Sequence, residues 1–238
     1  MAARITVNST DDSNIRNAVI TLREAILVAN GTLNVTDLTV AEKAQINGTV
    51  GTGVDRDTIA FNIGAIGSMQ LIQTLSALPP ISDPVTVDGW SQGGAGYNGL
   101  PLVEISGPGT SIVGLDITAG NSIVRGLAIN KFELAAIRLQ TNGGNEIVSN
   151  HIGPDPTGTI ARGNAKGIWI DGVPDNRIEN NLISGKGAVL PSTGIEISGI
   201  AARNNQVSGN RIGTDVTGTV AIGNYAGISI RLTEIAPD

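Results

Sequence analysis

One phrase of the sequence occurs twice. Residues 152–168 read IGPDPTGTIARGNAKGI and residues 212–228 read IGTDVTGTVAIGNYAGI, so the pattern returns after sixty residues. From residue 114 onward two shorter patterns also alternate: a strand such as GIWI or GIEI, and an Asn-led strand such as NEIV or NRIE. A phrase that returns in phase is typical of repeat architectures, in which each repeat is one structural unit stacked on the last.

The spacing of the Asn-led strands indicates coils of unequal length. They begin at Asn121, Asn145, Asn176 and Asn205, which gives steps of 24, 31 and 29 residues. The intervening segments lack helical periodicity, and a β-sandwich would need hairpins between antiparallel neighbours. We therefore predict an all-β fold, a right-handed parallel β-helix in which like side chains stack about 4.8 Å apart along the axis.

Strand alternation predicts which side chains point into this solenoid. The first inner column consists of Leu115/Ile117, Ile137/Leu139, Ile168/Ile170, Ile195/Ile197 and Ile228/Ile230. The second inner column consists of Ile123, Ile147, Ile178 and Val207. Ladders at the turns are predicted for Asn121, Asn145, Asn176 and Asn205, and again for Asn150, Asn181 and Asn210.

The N-terminal part of the chain has a different pattern. We treat residues 1–238 as a single domain with a cap region (1–57), irregular first coils (58–113) and regular coils (114–238), and we expect it to be a segment of a longer protein. TLREAILVANG contains a capping box from Thr21 to Glu24, and Gly31 follows the apolar run, which predicts a helix over about 22–30. Such a helix would close one end of the solenoid, where strand edges and aliphatic layers are otherwise exposed.

Composition excludes several functions. The net charge is −6, and no cluster of Lys and Arg is present, which argues against nucleic acid as a partner. No run of 18 apolar residues occurs, so we expect no membrane insertion, and the first residues lack an export signal. The absence of cysteine and the single histidine exclude a thiolate zinc site and a histidine-rich metal site.

Several phrases resemble a known family. ITVNSTDDS, TLREAILVAN, DTIAFNI, LPPISDPVTVDGWSQ, VRGLAINKF and the NHIGPDPTGT and NRIGTDVTGT loops are similar to the CSLREA-type right-handed parallel β-helix proteins of bacterial surfaces. The family motif begins Cys-Ser-Leu, whereas this chain reads VITLREA, with Thr21 in place of serine. The resemblance implies a pectate-lyase-like solenoid of a large exported or surface-attached protein, hence an extracellular or cell-surface location. It implies no settled activity.

Three functions are compatible with such a solenoid. A non-catalytic structural or display scaffold uses every repeated residue and is our first expectation, ahead of a carbohydrate or surface-binding module. A polysaccharide lyase or glycoside hydrolase ranks third, because hydrolysis needs two carboxylates roughly 5 to 10 Å apart. The chain lacks the acidic motifs of polygalacturonases and pectate lyases, so we assign no catalytic residue.

Aromatic residues mark two candidate surfaces for a polysaccharide or cell-surface glycan. Trp169 lies in the predicted outward column of the regular coils, where it could stack on a sugar ring or be buried by a loop. That column reads Asp116, Arg138, Trp169, Glu196 and Ser229. Trp90 and Tyr97 lie in the Gly-rich DGWSQGGAGYNG, which forms either a second platform or a loop packed on the solenoid.

Two further features carry weaker expectations. His151, placed in the column Leu127, His151, Leu182 and Arg211, has no partner acid nearby in sequence and is expected to be a surface or turn residue. Asp155 and Asp215 lie in the repeated phrase, which we interpret as a protruding loop held by Asx-type turns, with a calcium site as the alternative and otherwise no cofactor.

The last strand that the sequence places is GISIRL. Its isoleucines lack a following layer unless the tail TEIAPD, a further coil or a second chain covers them. End-to-end self-association through this coil is the weakest of these expectations, because Arg231 and Glu234 are edge charges that oppose sheet extension.

Overall fold

The computed structural model describes residues 1–51, 55–185 and 192–232. Within these ranges the secondary structure is mostly β. The two α-helices have eight and four residues, and no described helix is long and apolar enough to cross a membrane. The helical elements are α1 (Leu22–Ala29), α2 (Val40–Lys43) and the 3₁₀ turns Val35–Asp37 and Gly89–Gly93.

The strands are short and are distributed over all three described ranges. They are β1 (Arg4–Val7), β2 (Ile46–Asn47), β3 (Asp57–Phe61), β4 (Gln70–Gln73), β5 (Val85–Asp88), β6 (Val103–Ser106), β7 (Val113–Ile117), β8 (Ile123–Arg125), β9 (Leu127–Asn130), β10 (Ala135–Leu139), β11 (Glu146–Val148), β12 (His151–Ile152), β13 (Lys166–Asp171), β14 (Arg177–Glu179), β15 (Leu182–Ile183), β16 (Thr193–Ser198), β17 (Gln206–Ser208), β18 (Arg211–Ile212) and β19 (Ala226–Arg231).

These strands form three sheets. The eight-stranded sheet has the order β17-β14-β11-β8-β5-β3-β1-β2, the six-stranded sheet β18-β15-β12-β9-β6-β4, and the five-stranded sheet β19-β16-β13-β10-β7. Between the named strands of the described ranges, only the β1–β2 pair is antiparallel. From β8 onward the chain enters the three sheets in the same order in every round. The predicted all-β class and parallel pairing are therefore confirmed.

The first inner column is confirmed in the five-stranded sheet. Leu115, Ile137, Ile168, Ile195 and Ile228 are register partners from strand to strand, as are Ile117, Leu139, Ile170, Ile197 and Ile230. The members on β7, β10 and β13 are at most 1% exposed, whereas those on β19 are 47% and 73% exposed. The tail residues 233–238, proposed as a cover for this strand, lie outside the described residues.

The second inner column is wrong at its first member. Ile123 is partly exposed and pairs with Glu146, whereas Val124 is fully buried and pairs with Ile147. The predicted ladder that starts at Asn121 is also off by one residue there, because the backbone N–H of Ser122, not that of Asn121, donates to Asn145 Oδ1 at 3.0 Å. Since side chains alternate between faces, an error of one residue in register assigns each of them to the opposite face.

Two asparagine ladders connect successive coils. Asn145 donates its backbone N–H (3.0 Å) and its Nδ2 group (2.9 Å) to Asn176 Oδ1, and Asn176 does the same to Asn205 Oδ1 (2.9 and 2.8 Å). The second ladder repeats this pattern through Asn150, Asn181 and Asn210. The ladders supply hydrogen-bond partners to polar groups that the coils bury.

The N-terminal region contains the predicted helix and a second one. Thr21 and Glu24 form the capping box of α1, and Thr39 and Glu42 form an equivalent box at the start of α2, which the sequence reading missed. Arg16 lies between them: its guanidinium pairs with Glu24 and approaches Glu42 at 3.7 Å. α1 packs against β1 and β3, so it is fixed to the eight-stranded sheet.

Candidate functional site

The candidate residues of the regular coils lie side by side on the five-stranded sheet. Asp116 pairs with Arg138, Arg138 with Trp169, Trp169 with Glu196, and Glu196 with Ser229 in the parallel register. These residues alternate with the inner isoleucines and leucines, so they face away from the core. The strands thus bring the predicted ligand-binding residues Asp116, Arg138, Trp169 and Glu196 onto one surface.

The charged groups of this surface pair with one another. Arg138 forms an ion pair with Asp171, and Lys166 Nζ lies 2.8 Å from Glu196 Oε1. Asp116 accepts two hydrogen bonds from Gln140 Nε2, at 2.8 and 2.9 Å. Sequence reading missed Lys166 and Asp171, although both flank GIWI on the same strand.

Asp116 differs from an ordinary surface carboxylate. Its burial raises its pKa, and the hydrogen bond from Gln140 and the charge of Arg138 offset this only in part. A protein environment that disfavours the ionised form is a property of general acids, but a glycosidase also needs a second carboxylate poised across the substrate.

Trp169 is not an open platform. The Arg138 guanidinium carbon lies 4.3 Å and Lys166 Nζ 3.5 Å from the centroid of the ring, which are cation–π distances. Its indole N–H donates to Ser198 Oγ at 2.8 Å. A sugar ring stacking on Trp169 would have to displace at least one of these cations.

Trp90 and Tyr97, the second predicted platform, lie in one loop. Their side chains form hydrogen bonds with backbone carbonyls of that same loop. Trp90 Nε1 donates to the Gly99 carbonyl at 3.1 Å, and the Tyr97 hydroxyl donates to the Leu100 carbonyl at 2.7 Å. Arg125 lies over the Trp90 ring, 5.4 Å from its centroid, and forms two hydrogen bonds with Asp88. Both aromatic side chains stay partly exposed and line an open cleft of about 610 Å³.

Trp90 also lines a second cleft, which we call the corner cleft because it lies where the eight-stranded and six-stranded sheets meet. Its volume is about 350 Å³. The loop from Asn98 to Pro101 and Val216 of the second repeated phrase line it. Ser149, His151, Asn180, Gly209 and Arg211 also line it. No sequence motif indicated this cleft, because its parts are far apart in the chain.

The expectation that His151 is a surface residue is wrong. Its register partners are Ala128 and Leu182, so Ala128 replaces Leu127 in the predicted column, and His151 is only 6% exposed. The first repeated phrase folds over this outer face, with Nδ1 of His151 3.3 Å from the Asp155 carbonyl oxygen. Burial lowers the pKa of His151, and its contacts with Asp155 offset that effect only in part.

Each copy of the repeated phrase holds a buried aspartate followed by a largely exposed loop, and the predicted bonds from following backbone amides to the aspartate are present. Asp155 and Asp215 are about 95% buried. Each accepts hydrogen bonds from the loop that follows it: Asp155 from Ile160 N at 3.0 Å and Thr157 Oγ1 at 2.9 Å. The Val216 N–H donates to the Gly158 carbonyl at 3.0 Å, so one copy stacks on the other. A Cβ built at Gly158 would lie 2.7 Å from Val216 Cβ, which explains why glycine stands there.

These loops also bear on the predicted calcium site. Both oxygens of Asp155 and of Asp215 already accept a threonine hydroxyl. In the part of the chain that the structure describes, no three His, Asp or Glu side chains are grouped as metal ligands would be. Calcium at Asp155 and Asp215 stays a prediction, and binding would require the threonine hydrogen bonds to rearrange.

We expect the two loop aspartates to make the protein less stable in acid. Burial alone would raise the pKa of Asp155, but hydrogen bonds from Ile160, Thr157 and Thr159 outweigh it and hold the pKa below its ordinary value; the pKa of Asp215 is lowered too. A carboxyl with a depressed folded-state pKa stabilises the fold above its unfolded pKa of about 3.9, and this contribution disappears as the pH falls through the folded pKa.

The measurement is urea unfolding of the wild type and of the Asp155→Asn/Asp215→Asn variant from pH 6 to pH 2. The variant should be less stable than the wild type at pH 6, and the difference should shrink as the pH falls below about 4. A difference that stays constant over the whole range would contradict the role assigned to these carboxylates.

Comparison with protein-family models finds no match, and comparison with curated protein sequences finds none either. The geometry of the chain is therefore the basis on which its function is inferred.

Proposed function

We propose that the protein is a right-handed parallel β-helix that serves as a non-catalytic structural or display scaffold of an exported or cell-surface protein. The chain enters the three parallel sheets in the same order in successive rounds, and this supports a solenoid. We propose the right-handed form because the twist of strands makes crossover connections between parallel strands of one sheet right-handed in nearly all proteins. The end helix α1 serves as the cap in this proposal.

The scaffold role rests on one observation: polar and charged side chains find their hydrogen-bond and ion-pair partners within the protein, on the same or a neighbouring coil. The buried amides of Asn145 and Asn176 bond the next coil, and Arg138 and Glu196 on the outer surface are held by neighbouring side chains. A catalytic or binding site would instead present polar groups aimed at an absent partner. Such pairing is what a durable spacer requires.

Carbohydrate binding through Asp116, Arg138, Trp169 and Glu196 is the second proposal, and a polysaccharide lyase or glycoside hydrolase the third. The cations on the Trp169 ring make that surface a poor stacking platform. The raised pKa of Asp116 is the feature that favours an enzyme. Release of reducing ends or of unsaturated sugars from a panel of neutral and uronate polysaccharides would support the enzyme and contradict the scaffold.

A display scaffold should tolerate inserted sequence at its exposed turns. Ile200 is 74% exposed in the turn that follows β16, so ten Gly and Ser residues inserted between Ile200 and Ala201 should lower the free energy of unfolding by only about 1 to 2 kcal/mol. The matched control inserts the same peptide between Ile168 and Trp169, inside β13, and should prevent folding.

Urea unfolding followed by circular dichroism measures both insertions. Loss of folding in the turn variant would contradict the display role. A crystal structure tests the architecture separately, since a left-handed path or two packed antiparallel sheets would contradict the β-helix.

A further inference from the structure

We infer that the corner cleft binds a saccharide that carries an acidic group. This goes beyond the scaffold role, which requires no ligand, and it concerns a surface separate from Trp169. Three properties of the cleft support it: its shape, the side chains that form its polar lining, and its charge.

The shape suits a small ligand. The cleft of about 350 Å³ lies within the size range of small-molecule sites. Its corner is formed by Ser149, Asn180 and Gly209, which occupy equivalent turns of successive coils with φ of 55°, 56° and 65°. These turns are held by the second asparagine ladder, so this side of the cleft is ordered before a ligand binds. A preformed site avoids the entropic cost of ordering its walls.

The polar lining suits hydroxyl groups. Ser149, Asn98 and Asn180 present a hydroxyl and two amides, which donate and accept hydrogen bonds equally well. Trp90 adds an aromatic ring whose indole N–H donates to the Gly99 carbonyl; Arg125 lies over it, 5.4 Å from the centroid, so a sugar would pack on the part of the ring that Arg125 leaves uncovered. An apolar ring face next to convergent hydrogen-bonding groups is the combination that a sugar ring requires.

The charge selects an acidic sugar. The protein has a net charge of −6, yet none of the described residues lining the corner cleft is Asp or Glu. Arg211 is exposed at the cleft, and its guanidinium forms no ion pair with a described residue. A guanidinium binds a carboxylate through two parallel hydrogen bonds, so Arg211 would contact the acidic group.

The test uses two matched probes, a β-1,4-linked glucuronate tetrasaccharide and cellotetraose, titrated into the intact chain by isothermal titration calorimetry. We expect the glucuronate to bind at least about tenfold more tightly than cellotetraose, and this preference to weaken as salt is added. Fluorescence of a Trp169→Phe variant, in which Trp90 is the remaining tryptophan, should change on addition of the glucuronate and place it near Trp90. Trp90 lines two clefts, so the Arg211→Gln variant described next distinguishes the corner cleft, which contains Arg211, from the other one.

Three variants, each checked for an unchanged melting temperature, identify the contacts. Arg211→Gln should remove the preference for the glucuronate, while Trp90→Ala should weaken both probes. Arg203→Gln is the control: it changes an exposed arginine between β16 and β17, outside the corner cleft, and should leave binding unchanged. Equal binding of the two probes, no binding at millimolar concentration, or a glucuronate affinity unaffected by Arg211→Gln would overturn the inference. None of these results would alter the scaffold proposal, which the insertion experiment tests.

Discussion

Replacing Ile170 with aspartate is expected to unfold the protein, or to lower its free energy of unfolding by about 4 kcal/mol or more. Ile170 is fully buried in β13 and lies between Leu139 and Ile197 in the stacked inner column. The new carboxylate would have no cation or hydrogen-bond donor in the aliphatic layer, and burial of an unpaired charge is among the most destabilising single changes. Urea unfolding followed by far-ultraviolet circular dichroism measures the effect.

Two controls define the cause. Ile170→Val keeps the column apolar and should cost only about 1 kcal/mol, so a large loss in this variant would indicate that the site tolerates no change at all. Asp155→Ala removes hydrogen bonds from a loop and should cost at most about 2 kcal/mol. If Ile170→Asp and Asp155→Ala had equal effects, the assignment of Ile170 to the inner column would be wrong.

Asn176→Ala is expected to lower the free energy of unfolding by about 3 kcal/mol. The Asn176 side chain is fully buried, accepts two hydrogen bonds from Asn145 and donates to Pro174 and Asn205. Alanine would leave the buried N–H and Nδ2 donors of Asn145 without an acceptor, and each buried group left unpaired costs about 1 to 3 kcal/mol.

Asn205→Ala is the matched control for this ladder. Asn205 occupies the equivalent position one coil later but is partly exposed, so water can replace some of its hydrogen bonds. The loss for Asn205→Ala should therefore be clearly smaller than that for Asn176→Ala, as measured by urea unfolding at neutral pH. Equal losses would show that burial of the ladder does not determine its contribution.

The parts of the fold that the sequence predicted are those determined by local periodicity. Alternation identified the inner pairs from Leu115 onward, and the capping box located α1 to within a residue. When successive coils differ in length, no short stretch of sequence shows which residue of one coil pairs with which residue of the next. Ser122 occupies the ladder position 23 residues before Asn145, but the preceding Asn121 looks more like a ladder residue, so the register was assigned one position too early.

Loop packing was the second limit on prediction. The strand pattern placed His151 on the outer face, but its burial depends on how the loop that follows it folds back over that face, which strand alternation does not reveal. The corner cleft has the same origin, because Trp90, Asn180 and Val216 meet only after several coils have stacked. The outward residues Asp116, Arg138 and Trp169 could be predicted as neighbours, whereas the cations that contact the indole could not.

Arg16 couples the stabilities of the two helix starts in the N-terminal cap region. Its guanidinium, 29% exposed, is shared by the carboxylates of Glu24 and Glu42, whose side chains are fully buried and which each complete the first turn of a different helix. Residues that share one partner contribute non-additively to stability. Loss of Arg16 would leave two buried carboxylates without their cation at once, so the starts of α1 and α2 should form and loosen as one cooperative unit.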